Sequence, residues 1–302
     1  MRRHPTIVDV RDYWDARPCN VRHGGDIDVD TDPLAYSRAV TARKYRVEPH
    51  IVDFSEFDRW QGKRVLDAGC GIGTMALSFA EAGAQVVAVD LSPKSIEIAR
   101  KRAVVTHTMG SIRFMTLPLE ELTRYFPPEE PFDLVYSFGV LHHTPYPQAA
   151  LYNLREYMGP DSTMKLMLYH KVSWKVLWIL LRGWNLLRLV LPLATLDRIV
   201  ARHSEAQTGC PITRTYTQRQ ARLYLEDHGL RVTRMRVDHI FPYQIPAYIR
   251  GEYVKEWYWQ RIPPPVFRWL ERHFGWHLLI DAVADPSLKR VGLMKPMPLR
   301  IG

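Results

Sequence analysis

The chain has 302 residues, of which 46% are apolar and 24% charged, with three cysteines and a formal net charge of +9. That balance excludes a disordered chain and fits one elaborated domain or two small ones. Cys19, Cys70 and Cys210 form no CxxC pair, which argues against a disulfide framework and for a reducing, cytoplasmic setting.

The N-terminal "MRRHPTIVDVRDYW" is basic but lacks an apolar run, so it does not read as a secretory signal. The positive charge suits an anionic partner. The basic residues are dispersed, however, without the interleaved aromatics of an RNA-binding module, and nucleic acid is not expected as substrate.

From about residue 60, short apolar strands alternate with helical stretches. "KRVLDAG" reads as a strand and "TMALSFAEAG" as a helix closed by Gly83. "AQVVAVD" is the next strand, followed by the helix "SPKSIEIARKR" with Ser92 as N-cap and Pro93 in the first turn. "SIRFMTL" and "FDLVYSF" give the third and fourth strands. Residues 147–158 read as a helix stopped by "GP", and "TMKLMLYH" as a fifth strand. After a pause at 171–216, Thr217 and Gln220 stand at capping-box spacing before a helix that Gly229 ends. "LRVTRMRVDHIF" and "HLLIDAVA" are the last two strands.

Such alternation predicts an α/β, doubly wound sheet with helices on both faces and ligands beyond the carboxyl ends of its strands. The loops after Asp67, Asp90, Met115, Ser137 and His170 are therefore the candidates. Insertions at 171–216 and about 243–276 leave from that same edge, where they would roof the site.

The loop in "VLDAGCGIGT" departs from a dinucleotide fingerprint, because its third glycine, Gly73, comes one position early. Asp67 would repel a pyrophosphate and attract an ammonium group instead. Asp90 ends the next strand, where a carboxylate accepts from ribose hydroxyls. A ribose, a cationic amine and no phosphate on the loop describe S-adenosylmethionine.

At these residues the chain resembles the class I S-adenosylmethionine-dependent methyltransferases of the small-molecule branch, over about 45–170 and again at 217–241. The resemblance implies a Rossmann-like, mostly parallel sheet with an antiparallel last strand. It also implies an arm at 1–44 and a catalytic domain at 45–302 carrying helical lid insertions. Asp67, Gly69, Cys70, Gly71 and Gly73 would surround the methionyl end. Asp90, Leu91 and Ser92 would take the ribose and the adenine edge. "FDLVYSFGVLHHT" would lay Ser137, Phe138 and Gly139 along the cofactor. Many relatives carry an acid after the third strand for the adenine amino group. Pro118 aligns there, so the adenine falls to a backbone carbonyl, to Leu119 or to Glu120. Tyr45 would lie against the methionyl carboxylate, and Tyr13, Arg17 and Asn20 belong to the arm that folds over the cofactor.

Methyl transfer from a sulfonium needs alignment, exclusion of water and, for a protonated acceptor, a base. His142 and His143 stand at the mouth of the site, and Tyr169 and His170 are equally well placed. Arg214, Tyr216, His239 and Tyr243 would meet an anionic or amine-bearing acceptor. No HExxH or paired CxxC is present, and no metal is expected.

In "VSWKVLWILLRGWNLLRLVLPLAT" (172–195), Lys175, Arg182, Asn185 and Arg188 fall in one sector opposite a wide apolar face. The charges weigh against a membrane span. The segment reads as a lid, a homodimer surface or a basic anchor peripheral to a membrane, where the acceptor would be a lipid or quinone. Cyclisation, aminocarboxypropyl transfer and non-catalytic cofactor binding are the other functions open to this fold.

Overall fold

The computed structural model describes residues 4–182, 193–203 and 210–288. Seven strands form one sheet: β1 (Arg64–Ala68), β2 (Gln85–Asp90), β3 (Ile112–Thr116), β4 (Phe132–Phe138), β5 (Met158–Tyr169), β6 (Leu230–Asp238) and β7 (His277–Ala284). Their order is β3-β2-β1-β4-β5-β7-β6. β7 is antiparallel to both neighbours and the other pairings are parallel. This is a Rossmann-like doubly wound sheet, and the order reverses between β1 and β4, where the crevice of such a sheet opens.

Successive residues of the central strands face opposite sides, so each face builds its own core. Val65 and Leu134 pack with Phe79, Val86 and Tyr136. Leu66 and Val135 pack with Leu154, Leu166 and Leu225 on the other face. Local caps place the helices as the sequence suggests. The Ser92 hydroxyl accepts from the Ser95 N–H, and Thr217 and Gln220 complete a reciprocal capping box.

One boundary differs. The helix beginning at Pro147 ends at Glu156, and Gly159 and Pro160 lie inside β5. There the register jumps from Phe132↔Met158 to Leu134↔Thr163, so "GP" marks a bulge and not a helix stop. Ser162 makes the bulge affordable: its hydroxyl accepts from the Gly159 N–H at 2.8 Å and donates to the Phe132 carbonyl at 2.5 Å.

The arm is bound tightly to the sheet domain. Residue 44 lies within the helix Pro33–Val47, whose Asp32 cap and Pro33 start it well before that point, so arm and domain share an element. Arg102, fully buried, reaches that helix and the glycine loop together. It donates to Ser37 Oγ (3.2 Å) and Thr41 Oγ1 (2.9 Å) on one side, and to the Ile72 carbonyl (2.6 Å) and Thr74 Oγ1 (3.0 Å) on the other. Burial lowers its pKa to about 10, still well above neutrality.

Both insertions leave from the carboxyl edge. The first contains helices Trp174–Arg182 and Leu193–His203 and rejoins the sheet through a bridge between His170 and Tyr216. Asn185 and Arg188 lie outside the described residues. Lys175 does not sit on a solvated polar face, because its Nζ lies 4.3 Å from the Trp276 ring centroid and 5.5 Å from that of Tyr169. No helix among the described residues is long and apolar enough to cross a membrane.

Arg102→Met should strand the buried acceptors it serves. We expect a loss of about 1–3 kcal/mol in denaturant unfolding, together with earlier proteolytic release of the arm. An unchanged unfolding midpoint would contradict this role.

Candidate active site

A cavity of about 270 Å³ opens at the carboxyl ends of β1, β2, β4 and β5, roofed by the N-terminal arm through Val10, Trp14, Cys19 and Asn20. Its floor is the loop after β1. The N–H groups of Gly69 and Cys70 both donate to the Val89 carbonyl, at 2.7 and 2.9 Å, which pulls the loop tight across β2. A Cβ on Gly69 would stand 2.2 Å from Val140, so only glycine fits. Gly71 has φ +54 and lines the cavity, and a Cβ there would meet no atom within 4 Å. Its open side is the space of a ligand. Gly73 closes the loop as the N-cap of the helix Thr74–Glu81.

Three carboxyl groups surround this cradle, each in a different state. Asp67 is buried beneath the loop and outside the cavity wall, with no side-chain partner and only the Ala76 backbone N–H to favour its charge. Burial, then the nearby Asp90 charge, pushes it up to about 8. Asp90 is held by two backbone donors, Gly71 N–H on Oδ2 and Ser92 N–H on Oδ1, each at 2.8 Å. Those bonds fix the carboxylate while leaving lone pairs toward the cavity it lines, alongside Leu91. Glu120 lines the far side with Leu119, and burial raises it to about 7. Pro118 is not in the cavity wall.

The arm is fastened here by a residue the sequence did not single out. Asp15 Oδ1 accepts from the Ser92 hydroxyl at 2.8 Å and from the Lys94 N–H at 2.9 Å, on the first turn of the helix that follows Asp90. Asn20 lines the cavity, whereas the Arg17 guanidinium lies over the Tyr13 ring.

At the other end, Phe138, Gly139, Met167, Tyr169, His143 and His277 form the wall. Ser137 does not reach it, since its hydroxyl donates to the Ala68 carbonyl and ties β4 to β1. The histidine pair divides. His143 faces the cavity with Nδ1 2.8 Å from the Ile212 carbonyl and its ring edge-on to Trp14. His142 turns inward, fully buried with both nitrogens unpartnered and its ring 3.7 Å from that of Tyr169. Desolvation holds it well below the ordinary histidine range.

Several sequence candidates lie outside this wall. Tyr45 hydrogen-bonds Ser78 Oγ at 2.7 Å, because it sits about 100° around its helix from the lining residue Lys44. His170 is buried against the Gly275 carbonyl. Tyr216 stacks on Tyr224, Tyr243 packs with Phe241 and Tyr253, and Arg214 donates to the Pro145 carbonyl. His239 is buried behind the wall, with its ring centroid 4.6 Å from that of His277.

In exchange, the fold brings Lys44, Glu48 and His277 into the cavity. Lys44 Nζ and Glu48 Oε1 form an ion pair at 2.6 Å. Burial pulls Glu48 upward, but Lys44, His239 and His50 together outweigh it and leave the carboxylate at about 2. The i,i+4 spacing of "KYRVE" is a signal for this pair. No local pattern marks His277.

Residues 41–235, well over half of the chain, match the family described as "Methyltransferase domain". The chain belongs to this family, whose cofactor is S-adenosylmethionine. It is 34% identical over 121 residues to the mitochondrial ubiquinone biosynthesis O-methyltransferase of Schizosaccharomyces pombe, a match covering 37% of this chain and 40% of that protein. With the ubiquinone biosynthesis O-methyltransferase of Bordetella parapertussis it shares 39% over 90 residues, covering 30% and 36% respectively. The chain thus spans less than half the length of these relatives. Among solved structures, magnesium protoporphyrin IX methyltransferase from Synechocystis with bound SAH aligns over 91% of this chain and 98% of its own, with TM-score 0.56 and 19% identity. The 4+2 cyclase SpnF aligns over 93% and 97%, with TM-score 0.60 and 18% identity. These two likenesses define the fold.

The residues fit the family's cofactor: an open glycine face, a pre-positioned carboxylate at Asp90 and a buried carboxyl beneath the loop at Asp67. Two substitutions test that fit. Asp90→Ala should weaken S-adenosylhomocysteine binding by about 1–3 kcal/mol in calorimetry. Asp67→Asn should also bind more weakly, yet be more stable than the parent when unliganded. The native pKa of Asp67 exceeds its unfolded value, so the parent loses stability as pH rises from about 4 to about 8. The variant's advantage in urea midpoint should therefore widen over that window, and a constant difference would contradict the assignment.

Proposed function

We propose that the chain transfers a methyl group to a hydroxyl oxygen of a small, predominantly apolar organic acceptor. The observation that carries this reading is the polarity of the cavity: Asp90, held by two backbone donors beside the glycine loop, at one end, and an imidazole among apolar and aromatic side chains at the other. S-adenosylmethionine supplies the activated methyl. Asp67 neutralises an ammonium group and gives up its proton to do so. Asp90 accepts from the ribose hydroxyls, and Leu119 and Glu120 take the adenine edge. Phe138, Met167 and Tyr169 exclude water and orient the acceptor. His143, anchored through Nδ1 against the Ile212 carbonyl, serves as the base for the acceptor proton.

The choice of oxygen is supported by the O-methyltransferases among the relatives. The cyclase among the fold neighbours keeps a second reading alive, in which the same cavity serves cyclisation. Incubating the chain with methyl-labelled cofactor and a panel of phenols and catechols separates them. We expect labelled ethers and S-adenosylhomocysteine, with His143→Ala lowering kcat by roughly 10²–10⁴-fold while cofactor affinity is retained. Full activity in that variant would remove His143 as base.

An apolar acceptor is also consistent with the second cavity, of about 750 Å³, which the two insertions enclose through Trp174, Leu177, Trp178, Trp257, Leu270 and Phe274. Trp257 of its wall is 62% exposed, and Trp269, next to the lining residue Leu270, is 52% exposed, in a stretch that also carries Lys255, Arg261, Arg268 and Arg272. Exposed tryptophans among cations suit an anionic lipid surface. We propose that this face docks there and that the acceptor is drawn from the bilayer. Sedimentation with phosphatidylglycerol vesicles should retain the parent and lose a Trp257→Glu, Trp269→Glu double variant. Equal recovery of both would refute it, and a dimer abolished by the same changes would assign the face to a second copy.

A further inference from the structure

No metal-binding motif is visible in the sequence, yet the fold draws three imidazoles and a carboxylate from distant segments into one buried cluster. Glu48 follows the helix Pro33–Val47, His50 opens the helix His50–Ser55, His239 follows β6 and His277 opens β7. His50 Nε2 lies 2.9 Å from His277 Nδ1, and that same Nδ1 lies 3.8 Å from Glu48 Oε2. One ligand atom from each of the three falls within 4.8 Å of the others. A tetrahedral ion with bonds of about 2.0–2.1 Å needs ligand atoms about 3.3 Å apart. The two shorter separations bracket that value.

The geometry points to a site in which Glu48, His50 and His277 bind a divalent ion of the zinc class, with the remaining coordination position toward the acceptor end of the cavity. Two imidazoles and one carboxylate favour zinc or cobalt over magnesium or calcium, which prefer oxygen ligands throughout. Glu48 and His277 line the cavity, so a fourth position filled from that side is accessible to a small molecule. Without an ion, His277 Nδ1 faces an imidazole nitrogen and a carboxylate oxygen at once and can donate one proton to only one of them. With an ion, both contacts become shared ligation.

The surroundings fit outer-shell support. Lys44 Nζ holds Glu48 Oε1 at 2.6 Å and so leaves Oε2 turned to the histidines. Its positive charge lowers affinity for a cation, and an anionic oxygen in the open position would offset that. His239, at φ +71 and with its ring 5.2 Å from that of His50, closes the cluster on the side away from the cavity. A role for the ion in holding the acceptor oxygen rests on the methyl-transfer reading. Metal binding itself does not.

The test uses the untagged full chain, stripped with chelator and titrated with Co²⁺ and then Zn²⁺. Tetrahedral cobalt absorbs visible light far more strongly than the hydrated ion. We expect one Co²⁺ per chain with that intense spectrum, its displacement by Zn²⁺, and a loss of affinity greater than about tenfold in Glu48→Gln. Removing a buried imidazole risks misfolding, so His277→Ala is read only if its circular dichroism matches the parent, and Glu48→Gln serves as the near-isosteric variant. A parent chain that gives only the hydrated-cobalt spectrum would overturn the proposal, as would a Glu48→Gln chain that binds like the parent. S-adenosylhomocysteine binding by the parent, measured in parallel, reports on the cofactor reading separately.

Discussion

Asp67 sits at the centre of the sheet, at the end of the strand where the order reverses, with no side-chain partner for its carboxylate. A charge there has lost its hydration and gained a second acid, Asp90, as neighbour, so the empty cavity holds it mostly protonated at neutral pH. On the methyl-transfer reading, the ammonium group of the cofactor makes the arrangement favourable. The rest of the cavity is organised around that requirement: glycines that bring the backbone close, a second carboxylate already oriented by two backbone donors, and a roof that keeps water out.

That roof comes mainly from the arm. Asp15 fastens it to the first turn after Asp90, and Arg102 fastens the helix Pro33–Val47 to the glycine loop. The cofactor end is therefore built from two elements far apart in sequence that share hydrogen bonds. The insertions act elsewhere. Cys210, Ile212 and Thr213 back His143, while the insertion helices enclose an apolar chamber of their own. The described residues thus form a polar cavity beside the glycine loop and a separate apolar chamber between the insertions.

The fold was largely legible because its signals are local. Caps at Ser92 and Thr217, glycine stops and apolar strand runs depend on neighbours a few residues away, and each led to an element where expected. The "GP" at 159–160 misled because its meaning is set by the partner strand, whose register alone reveals a bulge. That the glycine loop and Asp90 line a cavity was readable for the same local reason, whereas Asp67 lies outside its wall. The i,i+4 spacing of Lys44 and Glu48 marks a pair but not its place in a cavity, and nothing local marks His277, since a helix end meets the start of the last strand only in the folded chain. Tyr45 shows how narrow the margin is: one residue of helical phase separates a cavity wall from a core hydrogen bond to Ser78. The pair at 142–143 makes the point again, with one ring in the cavity and the other sealed beneath Tyr169.

The most direct test of this account is proton release on binding, measured by titration calorimetry of S-adenosylhomocysteine at pH 7 in buffers of different ionisation enthalpy. If Asp67 is the cation's counter-charge, the parent chain releases close to one proton per bound ligand and Asp67→Asn releases almost none. Binding without proton release in the parent, or with the same release in both, would contradict it.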